Sequence, residues 1–240
     1  MQKVTLIPRE LPYEVNEELK YLRTNIQFAG MDKKVLLFTS VMSHEGKSAV
    51  VLNLAKSMAE MGKRVLLVDT DLRKSMMRHQ LTNKDGAPKG MTHLLSGMAN
   101  LDDVLCVTGE PVMYMILAGP VPPNPSELLG NRQFDNLLQW AREQFDYILV
   151  DCAPLGTVID AAVLAPKCDG AVIVVEAGKV PYRAAQSVVL QLKNAKCPVI
   201  GVVLNKVNYA SGRKYYNHYY HKYGYGYEYK SGAEEKSGKK

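Results

Sequence analysis

A mostly parallel α/β sheet covered by helices on both faces is predicted by three observations in this 240-residue chain. Short runs rich in Val, Ile and Leu recur along it, a segment of helical periodicity follows each, and polar residues suited to phosphate or metal gather where three of the runs end. Strands buried on both faces read as near-continuous apolar runs, and their alternation with helices marks parallel crossovers.

In chain order, Tyr13 to Phe28 reads as a helix preceding the first strand: Leu19, Leu22 and Ile26 share one face, and Glu17, Lys20 and Arg23 fall mainly on the other. The strands are Val35 to Thr39, Val65 to Asp69, Tyr114 to Leu117, Tyr147 to Asp151, Ala171 to Glu176 and Val199 to Asn205. Between them, Lys47 to Met61 reads as a helix closed by Gly62. Glu127 to Gln144 follows the start signals Asn124, Pro125 and Ser126, and Pro181 to Asn194 carries Pro in its first turn. Residues 1–208 form one expected domain, with the helix at about 13–28 at its start. Residues 209–240 form a tail with few aliphatic side chains, expected to stay mobile.

Composition narrows the function classes. No apolar run approaches the roughly 20 residues that span a bilayer, and Met1 to Asn16 carries Arg9, Glu10, Glu14 and two prolines where a secretion signal would be apolar. Cytoplasmic placement is the expectation. Cys106, Cys152, Cys168 and Cys197 are widely spaced without His at metal-ligand intervals, so they read as reduced and mostly buried. The net charge of +6 is scattered rather than gathered in a basic stripe, and no nucleic-acid partner is expected.

The chemistry concentrates at strand ends. Ser43, His44, Glu45, Gly46, Lys47, Ser48 and Ala49 connect the first of these strands to a helix. Gly-Lys-Ser at such a turn aims backbone N–H groups and the helix N-terminus at phosphate, with Lys47 adding charge and Ser48 a hydroxyl for Mg²⁺. Asp69 and Asp71, with Arg73 nearby, close the second strand, and Asp151 closes Tyr147 to Asp151 as a Walker B element would. Single aspartates at such places often only cap or solvate a strand end. Converging at the carboxyl edge of one parallel sheet, the three segments instead predict a site for ATP and Mg²⁺.

With these residues in view, the chain resembles the bacterial tyrosine kinases of capsule and exopolysaccharide systems (BY-kinases), a P-loop NTPase-type fold. The likeness runs from about Glu17 to Lys206 and into the tail. It rests on Glu45-Gly46-Lys47-Ser48, Asp69-Thr70-Asp71-Leu72-Arg73, the strand closing at Asp151, and Asn124-Pro125-Ser126-Glu127-Leu128-Leu129. The resemblance implies that Lys47 neutralises the transferring phosphoryl group and that Ser48, Asp71 and Asp151 hold Mg²⁺. Asp69 would take the proton of the attacking tyrosine, Arg73 would join the catalytic set, and Asn205 would contact the base or cap its strand. It further implies phosphoacceptors at Tyr215, Tyr216, Tyr219, Tyr220, Tyr223, Tyr225, Tyr227 and Tyr229.

A homo-oligomeric ring joined through Glu17, Lys20 and Arg23 also follows from the resemblance, with Lys20 standing where the family has Arg. So do a membrane-embedded activator that recruits the kinase to the inner face of the membrane, protein tyrosine substrates and a phosphatase. Two positions depart from the family: His44 replaces a common Gly, and Cys152-Ala153-Pro154 replaces Thr-Pro-Pro. Two other readings remain open, a partitioning or positioning ATPase of the wider P-loop group and a nucleotide-binding adaptor whose aromatic tail is an interaction segment.

Overall fold

The computed structural model describes residues 1–8, 10–30, 32–82 and 88–208. Its strands are β1 (Gln2–Lys3), β2 (Thr5–Leu6), β3 (Val35–Ser40), β4 (Val65–Asp69), β5 (Leu81–Thr82), β6 (Leu105–Val107), β7 (Tyr114–Ile116), β8 (Tyr147–Asp151), β9 (Gly170–Glu176) and β10 (Val199–Asn205). The helices are α1 (Tyr13–Phe28), α2 (Lys47–Glu60), α3 (Met91–Leu95), α4 (Leu101–Val104), α5 (Pro125–Gly130), α6 (Arg132–Gln144), α7 (Asp160–Leu164) and α8 (Tyr182–Asn194).

Eight strands form one sheet in the order β1-β6-β7-β4-β8-β3-β9-β10, and β2 pairs with β5 separately. The block from β7 to β10 is parallel throughout, and β6 runs antiparallel to β7. The mostly parallel sheet expected from the apolar runs is thus present. Because side chains alternate across a strand, Leu36 and Phe38 of β3 pack on one face with α1 and α2, while Val35 and Leu37 pack on the other with α6, α7 and α8. The unit Met1–Lys206 is built around these two apolar layers.

The expected helix from Glu127 to Gln144 is two helices. Asn131 lies in extended backbone (φ −75°, ψ 165°), and its side-chain oxygen accepts from the backbone N–H of Gln133 and Phe134, so it caps a new helix. The short strands β1, β2, β5 and β6 carry too few residues for a periodic signal and were not expected from sequence. Among the described residues, no helix is long and apolar enough to cross a membrane. The cysteines are all free, with Cys106, Cys152 and Cys197 buried and Cys168 half-buried.

On α1, Leu19 and Ile26 are buried against α2, as their spacing predicts. The charged residues divide. Lys20 pairs with Glu17 at 2.6 Å on the exposed face, whereas Arg23 turns to α2 and donates from Nη1 to the Ser57 carbonyl and hydroxyl, both at 2.9 Å. Opposite the buried stripe, Tyr13, Tyr21 and Phe28 are exposed.

Candidate active site

The site is assembled where β3, β4 and β8 end. After β3 the chain turns through His44 (φ 68°) and Gly46 (φ 82°) into α2, which turns successive N–H groups toward one concavity. Gly46 is required twice over: its φ is left-handed, and a Cβ there would stand 2.2 Å from the Asn205 side-chain nitrogen. His44 shares the left-handed backbone without being glycine, which costs about 1–2 kcal/mol. The backbone at the position where the family carries Gly is therefore one that glycine adopts freely.

The loop is braced from β9 and β10. Glu45 is buried, its carboxylate accepting from the N–H of Met42 (2.7 Å) and of Glu176 (3.2 Å). Asn205 donates its side-chain amide to the Glu45 carbonyl (2.8 Å), and Lys206 donates to the His44 carbonyl (2.6 Å) and to the Glu176 carboxylate (2.8 Å). The Asn205 amide is thus spent on the loop, and Asn205 does not line the adjoining cavity. Glu176 and Lys206 were not singled out from sequence, since a strand-end charge pair has no signature before the fold brings it to the loop.

Lys47, at the first position of α2, extends to Asp151 and forms a buried ion pair, with the Ser48 hydroxyl 3.2 Å from its ammonium. Burial opposes the Lys47 charge, but the Asp151 carboxylate outweighs it and the net effect favours the protonated form. Asp69 and Asp151 are register partners on adjacent strands. Asp69 accepts from the Asp71 N–H (3.2 Å) and from the Ser75 hydroxyl, while Asp71 accepts from the Lys74 N–H (3.0 Å). Burial first, and then the Asp151 charge, push the Asp69 carboxyl up to about 7 against the opposing pull of Ser75 and Lys47. Three buried carboxylates, Asp69, Asp71 and Asp151, therefore share one buried ammonium, Lys47.

That surplus of negative charge suits an additional cation. Among the described residues, no group of three His, Cys, Asp or Glu side chains could hold a metal by itself. Mg²⁺ bound with a polyphosphate does not need such a cage, because it draws most of its oxygens from phosphate and water and only one or two from protein. Ser48 and Asp71 border the adjoining cavity and fit that lesser demand, while Asp151 is buried in its pair with Lys47. That cavity, of about 450 Å³, is lined by Ser43 through Ala49 and also by Asp71 and Arg73. Asp69 and Asp151 are buried and outside the lining. Glu17, Lys20 and Arg23 are also outside it, and Tyr215 through Tyr229 lie outside the described residues.

The protein family described as AAA domain matches residues 33–197. Over 195 residues the chain is 40% identical to a tyrosine-protein kinase, CpsD, of Streptococcus agalactiae, spanning 81% of this chain and 85% of the relative. The chain belongs to the bacterial tyrosine kinases of capsule and exopolysaccharide systems. The kinase domain of Escherichia coli tyrosine kinase ETK superposes on this kinase with a TM-score of 0.74 at 27% identity, covering 89% of this chain and 80% of that one. The septum site-determining protein MinD of Pyrococcus horikoshii, solved with Mg-ADP, matches at TM-score 0.62 and 23% identity over 75% of this chain and 72% of that one. The kinase and MinD have the fold in common.

Proposed function

We propose that this kinase binds ATP with Mg²⁺ in the cavity beside Lys47 and phosphorylates its own tyrosine cluster, Tyr215 to Tyr229, on a neighbouring copy. The observation that carries the proposal is the meeting of Lys47, Asp69, Asp71 and Asp151 at one edge of the sheet, next to a cavity that Arg73 also lines. Ser48, Asp71 and Asp151 would hold Mg²⁺, which when bound supplies positive charge beside the phosphates. The backbone N–H groups from Ser43 to Ala49 cradle those phosphates, and Lys47 exchanges part of its contact with Asp151 for a phosphate oxygen.

In the transfer, the tyrosine oxygen forms a bond to the γ-phosphorus as the bond from that phosphorus to the bridging oxygen of ADP breaks. The phenolic proton passes to Asp69. A free phenol has a pKa near 10, so the carboxylate serves chiefly to orient the hydroxyl and to take its proton late. Asp69 is buried and bonded to the Ser75 hydroxyl; a phenol reaches it when the turn after Asp71 gives way.

Residues 209–240 follow the domain in sequence, and a ring contact near Glu17 and Lys20 would present a neighbour's cavity to them. Each added phosphate carries about −1.5 to −2 charges. Several of them oppose the carboxylates of the receiving site, so phosphorylation expels the tail and loosens the ring. Recruitment to the inner membrane face by a membrane protein, and control of polysaccharide polymerisation or export, complete the proposal on the strength of family membership. Incubating the full chain with ATP and Mg²⁺, mapping phosphate by mass spectrometry and following assembly by light scattering tests it. Phosphotyrosine between Tyr215 and Tyr229 is expected, and an active preparation without it there would exclude the tail as acceptor.

A further inference from the structure

The Arg73 side chain does not stand alone at the cavity. Asp160, the first residue of α7, is fully buried, and its two carboxylate oxygens accept from Arg73 Nε at 2.7 Å and Nη2 at 2.9 Å. Ser126, the second residue of α5 and just after Pro122-Pro123-Asn124-Pro125, closes a triangle. Its hydroxyl donates to Asp160 Oδ1 at 2.7 Å and accepts from Arg73 Nη2 at 2.9 Å. Three segments far apart in sequence are thereby joined at one guanidinium.

We infer that Asp160 and Ser126 are positioning residues for phosphoryl transfer, fixing the Arg73 guanidinium at the edge of the nucleotide cavity. The inference rests on the reading that Arg73 acts in that transfer. A guanidinium is planar, and binding through Nε and Nη2 fixes its plane while leaving the other edge available. Arg73 lines the cavity, and its Nη1 has no acceptor among the described residues. An exposed arginine would otherwise lose rotamer freedom each time it met a phosphate oxygen. Here that freedom is already lost, so the donors are set in place before charge moves.

The carboxylate is ionised at working pH. Burial alone would raise the Asp160 pKa, but the hydrogen bonds from Arg73 and Ser126 lower it below its ordinary value. A buried carboxylate needs a counter-charge for stability alone, so the role in transfer must be read separately from folding. Ser126 helps to separate them, because it is half-buried and removing its hydroxyl leaves the ion pair in place.

The test measures phosphotyrosine formation by the full chain at saturating ATP and Mg²⁺, together with the Kd of a fluorescent ADP and the melting temperature. Asp160→Asn is expected to slow transfer about tenfold and Ser126→Ala about threefold, with nucleotide Kd within about twofold of wild type. Arg73→Ala is expected to lose at least as much as Asp160→Asn. Adding Asp160→Asn or Ser126→Ala to Arg73→Ala should then cause no further loss, since both act through the arginine. Wild-type rates in Arg73→Ala would remove the reading of Arg73 itself. A slow Arg73→Ala beside unimpaired Asp160→Asn and Ser126→Ala, or losses that multiply in the double variants, would overturn the positioning role alone. Should Asp160→Asn fail to fold, the Arg73 and Ser126 cycle decides the question.

Discussion

At the start of β3, Asp169 accepts four hydrogen bonds: two from Arg142 at 2.9 and 2.7 Å, and two from the backbone N–H groups of Lys34 and Val35 at 2.9 and 2.8 Å. Beyond the other end of the same strand, Lys47 is, among the described residues, the one buried ammonium beside Asp69, Asp71 and Asp151. The first cluster is complete within the protein. The second is short of positive charge and sits next to a cavity. One strand thus separates charge arranged to hold the fold from charge arranged to receive a ligand, and the distinction lies in whether the donors balance the carboxylates.

The sharpest way to break this comparison is to neutralise one aspartate at each end. Asp69→Asn should cut phosphotyrosine formation by at least about 100-fold while nucleotide binding persists, because a positioned base contributes about that much. Its melting temperature should hold or rise, since a surplus charge is removed. Asp169→Asn should do the reverse, costing about 2–3 kcal/mol in urea unfolding with phosphotransfer per folded molecule unchanged. Equal effects of the two substitutions on both readouts would dissolve the contrast.

Acid titration sharpens it further. Asp169 and Asp160 are each raised by burial but held below the ordinary aspartate value of 3.8 by their arginine partners and other hydrogen bonds. A carboxyl whose folded pKa is depressed contributes stability that is fully present above its unfolded pKa and is lost as pH falls through the folded value. Unfolding free energy should therefore decline as the pH drops below about 4, and Asp169→Asn should flatten that decline in urea titrations at graded pH. The smallest effect is expected from His44→Gly. Relief of the left-handed backbone and the added entropy of the unfolded chain oppose each other, leaving a net change within about 1 kcal/mol.

How much of this was legible in sequence depends on how local each cause is. The strands Val65–Asp69, Tyr147–Asp151 and Val199–Asn205 have the bounds their apolar runs predict, and α1 runs from Tyr13 to Phe28 as its periodicity does. Lys47, Asp71 and Asp151 meet because strand ends in a parallel sheet share an edge, which a sequence reader can anticipate. The cap at Asn131 was hidden inside a continuous helical pattern, although Asn is itself a capping residue. The contacts that join Asp160 to Ser126 and Arg73, and Glu176 to Lys206, were invisible for another reason: the partners are supplied by distant segments, and nothing beside them in the chain marks the pairing.

The grip of Asn205 and Lys206 on the Glu45 and His44 carbonyls has a consequence for synthesis. The phosphate loop is among the first parts of the domain to leave the ribosome, yet its brace is the last strand of the domain. A nascent chain that has not yet released β10 carries the loop without these two donors. Nucleotide affinity should thus mature late, with the arrival of residue 206, just before the tyrosine-rich segment follows it out.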